Sequence, residues 1–251
     1  MRLPAPSALL PSRRLALITA AIVVALALAY LAARTTPLFA VRTVEVSGAP
    51  ASLSEDVRRA TARFTGTSLV ALDGTALIRR IESLPTVVSA RYDRAFPHTL
   101  RIFVVPERPV AVIVQGSAGW VVSERGRVVS RTGRRGLDNY PRIDFEAAQG
   151  LTSGQTIRDP RALVPVRALA RIDETFPVRV RAGRLEGGKL VLVLSASTEL
   201  RLGEPLDLDV KLAAAARVLA ALSRAERARL VYLDVSLPER TVAATNTQVV
   251  G

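Results

Sequence analysis

The stretch Ser83–Ile113, SLPTVVSARYDRAFPHTLRIFVVPERPVAVI, decides the fold. Val88, Ala90 and Tyr92 alternate with Ser89, Arg91 and Asp93, and Leu100, Ile102 and Val104 alternate in the same way further on. This is the period-two pattern of two half-buried strands. Between them AFPH, Ala95–His98, supplies a Pro-containing turn. The alternation predicts a strand pair whose first member turns Ser89, Arg91 and Asp93 outward. No evident catalytic group lies in it.

Working outward toward the N-terminus, DGTALIRRIESLP (Asp73–Pro85) places Leu77, Ile78, Ile81 and Leu84 on one helical stripe, and Pro85 stops it. SLSEDVRRATARF (Ser52–Phe64) reads as another helix, with Ser54 as its expected cap and Val57, Ala60 and Phe64 on one face. VRTVEVSG (Val41–Gly48) alternates as a half-buried strand that ends at Gly48. The order is strand, helix, helix, strand, strand. Each helix is too short to stand alone, so both must cover one face of a small sheet.

Ahead of this unit lies LALITAAIVVALALAYLAA, Leu15–Ala33, without a charge. Its roughly 19 residues reach about 28 Å as a helix, close to the thickness of a bilayer core. Arg2, Arg13 and Arg14 precede it, and such charges hold a short leading tail in the cytoplasm, so the chain from about Arg34 onward is expected outside. A cleavable signal peptide is the competing view, with Ala27–Ala29 as a small-residue cleavage site. The apolar run exceeds the ~7–15 residues of a signal core, which favours an uncleaved anchor.

Beyond Pro109, VAVIV (Val110–Val114) and GWVVSERGRVVS (Gly119–Ser130) read as strands, with Gly126 in a tight turn. RTGRRGLDN (Arg131–Asn139) is a polar connection. Asp159 is an expected N-cap ahead of Pro160 for a helix running to about Asp173, with Pro165 delaying or kinking it. Strands follow near Val178–Val180, in KLVLVLSA from Lys189 and in TELRL from Thr198. Leu206–Leu222 is a helical pattern with Leu208, Leu212, Ala215, Leu219 and Leu222 on one side. RLVYLDVSLPERTVAATN (Arg229–Asn246) is extended and interrupted by Pro238.

With 49% apolar residues the chain can bury a core, and with no Cys it does so without disulfides. The formal charge of +13 is mostly arginine. Pairs such as Arg58-Arg59, Arg79-Arg80 and Arg134-Arg135 are scattered, with no basic stripe interleaved with aromatics. That distribution fits solvated faces or weak attraction to anionic envelope polymers better than nucleic acid.

Enzyme chemistry finds little material. His98 is the single histidine and has no Cys beside it to build a metal site. Asp207 and Asp209 sit where carboxylates complement a helix dipole, and Asp173 and Glu174 have no partner in sequence to tune a proton transfer. Neither Lys189 nor Lys211 follows a Ser by three residues, as the Ser-x-x-Lys nucleophile requires. Lys211 is expected at the surface. Gly66 and Gly74 make no phosphate cradle. No cofactor, metal or small-molecule substrate is expected.

Several segments in order resemble one family. VEVSG (Val44–Gly48), GTSLVALD (Gly66–Asp73), LPTV (Leu84–Val87) and RAFPHTLRIFVVPERPVAV from Arg94 are similar to the POTRA domain of the bacterial division family FtsQ/DivIB. GWVVSERGRVV from Gly119, LGEPLDLDVKL from Leu202 and YLDVSLPER from Tyr232 are similar to that family's β domain. Thr86 and Ser123 depart from it, where members often carry a large aromatic and an Asp.

The resemblance implies a single N-terminal transmembrane helix followed by an α+β POTRA domain (β-α-α-β-β) and a mixed α/β, strand-rich β domain. The corresponding segments are a cytoplasmic tail 1–14, transmembrane helix 15–33, linker 34–38, POTRA domain 39–108, FtsQ-type β domain 109–246 and a tail 247–251. It further implies a non-enzymatic membrane scaffold at the division septum that binds FtsB and FtsL and helps to recruit the septal wall synthase. Two other readings are a different POTRA-bearing envelope transport or insertion factor and a wall-modifying enzyme.

Partner-binding residues are expected at two places. Arg240, Thr241, Val242, Ala243, Ala244 and Thr245 (RTVAAT) follow the last strong strand, with no further strand to cover their outer backbone groups, so they are expected to form a sheet edge. The family's last strands carry FtsB binding, which points to the same segment. The outward row containing Ser89 and Arg91 is the second place, expected to recruit another division protein.

Overall fold

The computed structural model describes residues 13–115, 118–145 and 150–245. Arg2, most of the leading tail and the closing residues 247–251 lie outside the described residues. The chain divides into two compact units, Met1–Glu82 with Ser89–Val105, and Ser83–Val88 with Pro106–Gly251.

The first unit opens with helix α1 (Arg13–Thr35), whose apolar window has a mean hydropathy of 2.6 and is long enough to cross a bilayer. It stops at a local signal. The Thr35 and Thr36 hydroxyls donate to the Leu31 and Ala32 carbonyls at 2.8 and 2.6 Å, and Pro37 cannot continue the helix. Ser68 Oγ donates to the Ala33 carbonyl at 2.8 Å, tying the helix end to the folded part of the unit.

The sheet of this unit holds β1 (Thr43–Ser47), β2 (Val87–Ala95) and β3 (Thr99–Pro106) in the order β1-β3-β2. Strand β1 runs parallel to β3, with Val44 opposite Leu100 and Val46 opposite Ile102. The connection contains α2 (Ala51–Thr61) and α3 (Gly74–Glu82), so the strand-helix-helix-strand-strand order expected from sequence is the order observed. Leu53 and Val57 of α2, Leu77 and Ile81 of α3 and Leu100, Ile102 and Val104 of β3 are buried. Gly48, at φ +83°, has a Cβ position 2.5 Å from the Val104 carbonyl oxygen, so a side chain there would collide with β3.

Ser54 does not cap α2. The helix begins one turn earlier, behind Pro50, and Ser54 is buried with Oγ donating to the Ala49 carbonyl at 3.3 Å. Pro50 presets the entry angle, so the start needs no side-chain acceptor.

The second unit is a nine-stranded mixed sheet. Its strands are β4 (Pro109–Gln115), β5 (Ala118–Ser123), β6 (Val128–Thr132), β7 (Arg142–Ile143), β8 (Val180–Glu186), β9 (Lys189–Leu194), β10 (Glu199–Gly203), β11 (Leu230–Asp234) and β12 (Val242–Thr245). The order is β12-β11-β10-β9-β8-β7-β4-β5-β6. Strand β7 pairs in parallel with β4 and β8, and β10 in parallel with β11. The other pairings are antiparallel.

Among the described residues this unit holds the α-helices α4 (Pro160–Leu169), α5 (Leu208–Ala221) and α6 (Arg224–Arg229). The Asp159 carboxylate accepts from the Arg161 amide at 2.9 Å and caps α4, as its position ahead of Pro160 predicts. The helix ends at Leu169 rather than near Asp173. Pro165 lies inside it, where an ideal Cβ on Gly183 of β8 would come 3.2 Å from the Pro165 side chain. Leu190, Leu192 and Leu194 of β9, Leu200 and Leu202 of β10, Leu212, Ala215 and Leu219 of α5 and Leu233 of β11 share one buried cluster.

Lys211 corrects the surface expectation. It is only 6% exposed, and its Nζ donates to the Glu204 carbonyl at 2.7 Å. Three residues after Leu208 and four before Ala215, it falls on the buried stripe of α5. Its aliphatic stem packs there while the ammonium reaches a backbone acceptor.

Candidate partner-binding edge

Strand β12 exists because the chain reverses tightly after β11. The Asp234 carboxylate accepts from the Ser236 amide at 2.9 Å, an Asx turn, and the Arg240 amide donates to the Leu237 carbonyl at 2.9 Å on either side of Pro238. The chain then returns antiparallel to β11, with Val242 opposite Asp234, Ala243 opposite Leu233, Ala244 opposite Tyr232 and Thr245 opposite Leu230. Arg240 and Thr241 belong to the reversal, so the strand is shorter than the RTVAAT segment expected from sequence.

At one end of the sheet order, β12 has a neighbour on one side only. Its side chains are small, and Val242, Ala243 and Thr245 are exposed. It carries no Pro and no charge, and among the described residues no strand lies on its outer side; of the usual defences of a sheet edge it has short length and the register shift between Leu230 and Tyr232 in its pairing with β11. Nearby apolar side chains are also open to solvent: Val231 at 48%, Leu237 at 64% and Val242 at 49% exposure.

The sheet face beside this edge is stiffened by charge. Glu199 accepts from Arg184 at 2.6 Å and from Arg201 at 2.8 and 3.0 Å, and the Arg201 guanidinium lies 4.1 Å from the Tyr232 ring centre. Hydrogen bonds from Arg201 and then Arg184 hold the Glu199 carboxyl below its ordinary value, against the opposing effect of burial. Tyr232 is opposite Glu199 on one side and Ala244 on the other, so the cluster reaches the edge strand. Sequence reasoning missed it. The signal was the alternation in TELRL, where Glu199 and Arg201 necessarily face away from buried Leu200 and Leu202.

The second expected site belongs to the first unit. Arg91 is exposed, with its guanidinium 5.6 Å from the centre of the Phe103 ring, and Phe103 is itself 41% exposed. Ser89 on the same row is half-buried. Arg91 and Ser89 therefore share a strand with each other but not with Arg240–Thr245.

Comparison with known proteins finds similarity over part of the chain. A model described as the FtsQ-type POTRA domain matches residues 39–107. A protein of Mycolicibacterium smegmatis named Cell division protein FtsQ is 39% identical over 77 residues, 31% of this chain and 23% of the relative. The protein of the same name from Mycobacteroides abscessus is 34% identical over 98 residues, 39% of this chain and 29% of the relative. That from Corynebacterium glutamicum is 26% identical over 159 residues, 63% of this chain and 68% of the relative. The chain thus carries a region similar to the FtsQ-type POTRA domain, and it spans less than a third of the length of the first two of these relatives.

The match spans β1, α2, α3, β2 and β3, and the nine-stranded sheet lies outside it. The polar residues weighed for chemistry are locally engaged. His98 Nδ1 lies 3.3 Å from the Ala40 carbonyl oxygen. Asp209 pairs with Arg171 at 3.0 Å. The Thr175 hydroxyl and amide hold the Asp173 carboxyl below its ordinary value. Asp207 stands at φ +51° where the chain enters α5. Among the described residues no three His, Cys, Asp or Glu side chains gather as a metal site would require.

Proposed function

We propose that this chain is a non-enzymatic, single-pass scaffold of the bacterial division complex. It binds FtsB by adding a strand of that partner to β12, engages FtsL in the same assembly and helps to recruit the septal wall synthase. The observation that carries this reading is the unprotected edge of β12, whose outward N–H and C=O groups are those that strand addition would satisfy. The Glu199–Arg201–Tyr232 cluster supports it by supplying a rigid platform beside the edge, which lowers the ordering cost of binding. Exposed Leu237 and Val242 offer apolar contact. The test is affinity purification of the tagged full-length chain from its own host. FtsB and FtsL homologues are expected with it, and recovery of a transport or insertion apparatus without them would overturn the reading. Arg91→Glu should leave that capture intact yet impair localisation to the septum; normal localisation makes the Arg91 face structural.

In this reading α1 is an uncleaved anchor with its N-terminus in the cytoplasm, and the rest of the first unit and the whole second unit lie outside. Because the chain has no Cys, single cysteines report topology cleanly. Ser153 is exposed, so Ser153→Cys is expected to label with an impermeant thiol reagent in intact cells, and Ser7→Cys is not. The opposite pattern reverses the topology.

A further inference from the structure

Arginines that lie far apart in sequence converge on two adjoining hollows of the second unit. One, of about 460 Å³, is bordered by Arg179, Arg224 and Arg227 over an apolar floor that includes Leu194, Leu219 and Leu230. The other, of about 350 Å³, is bordered by Arg142, Arg179 and Arg181. Arg179 and Ser195 line both, which makes them one continuous basic groove.

The charge there is uncompensated. Asp138 is the one carboxylate on the lining, and it is already paired with Arg142 at 2.9 Å. Arg179, Arg181, Arg224 and Arg227 form no salt bridge among the described residues. Arg227 donates from Nη1 to the Pro177 carbonyl at 3.3 Å, while its Nε is buried without an acceptor. Arg179 likewise donates only to a backbone carbonyl, that of Asp138, and four guanidinium groups without a carboxylate partner along one groove repel one another. An anion with oxygen acceptors in the groove relieves that repulsion.

We infer that this groove binds an acidic peptide segment in which carboxylates alternate with aliphatic side chains. Carboxylates meet the guanidinium forks, and aliphatic neighbours cover the leucine floor, which a bare phosphodiester polymer would leave exposed to water. Leu230, part of that floor, pairs with Thr245 at the far end of β12. A peptide that had added itself along β12 could therefore continue into the groove. That continuation rests on the strand-addition reading; the anion site itself does not.

The test uses the full-length chain in detergent micelles and a short fluorescent peptide alternating Glu with Leu, beside its Gln-for-Glu counterpart and inorganic polyphosphate. The Glu peptide should bind, increasingly weakly as salt rises, and the Gln peptide should not. Arg181→Ala and Arg224→Ala, both at exposed positions, should each weaken binding by ~3- to 10-fold. Val242→Pro should leave this affinity unchanged, which separates failure of the groove from failure of the edge. Equal binding of the Gln peptide, indifference to both arginine variants, or loss of binding in Val242→Pro would overturn the inference. Polyphosphate binding that the arginine variants weaken, with the Glu peptide not binding, would assign the groove to a phosphate polymer instead.

Discussion

Full-length protein carrying Val242→Pro, and separately Ala243→Pro, is expected to lose FtsB capture altogether. Backbone N–H groups along a strand point alternately toward the paired neighbour and away from it. The two adjacent substitutions therefore sample both kinds of donor on β12. One removes an outward donor that an incoming strand would use, and the other removes a bond to β11 and displaces the edge. Either way the template for strand addition is broken. Stability should change little, because Val242 and Ala243 are exposed and the buried cluster contains no residue of β12. A melting shift within about 2 °C is expected, in line with exposed positions away from the core. A chain ending after Glu239 should behave as the proline variants do. Retained capture by any of the three removes strand addition at β12 from the mechanism.

Leu200→Ala should have the converse profile. Leu200 has no exposed surface and stands between Leu192 of β9 and Leu233 of β11, in the cluster that includes Leu212 and Leu219 of α5. Truncating such a side chain removes buried apolar surface and leaves a cavity, typically destabilising by about 2–5 kcal/mol. For a unit of this size that corresponds to a fall in melting temperature of roughly 5–15 °C. Well below the new melting temperature, partner capture should persist, since the edge is untouched. A shift under about 1 °C would show that Leu200 is not a keystone of the sheet. Taken with the proline variants, it distinguishes loss of the edge from loss of the domain.

Much of this fold was legible because its signals are periodic. Leu100, Ile102 and Val104 alternate, Leu77 and Ile81 recur at helical spacing, and Pro85 and Gly48 mark ends, so the first unit could be read residue by residue. Strand β7 was invisible: with two residues, Arg142 and Ile143, it has no period, and its pairing is dictated by β4 and β8 on either side. Helix α6 was missed as well, although Ser223 and Glu226 form a reciprocal capping box, because its six residues, RAERAR, show no apolar face. Lys211 was misplaced by its charge when its spacing from Leu208 and Ala215 already put it inside. The edge strand was legible from its position, while the basic groove was not. Arg142, Arg179 and Arg227 lie tens of residues apart and meet only when α6 folds against the start of β8 and the end of β9, as the shared lining requires.

The parallel pairing of β10 with β11 sets an order of assembly. Parallel neighbours cannot be joined by a tight turn, so β11 reaches its place only after the chain has crossed over through α5 and α6. Strand β12 in turn depends on β11. The exposed edge is therefore a late product of folding, formed once a non-local crossover has closed. On the proposed reading, a partner adding a strand there would sample maturation as well as identity, because chains stalled before the crossover would present no docking template.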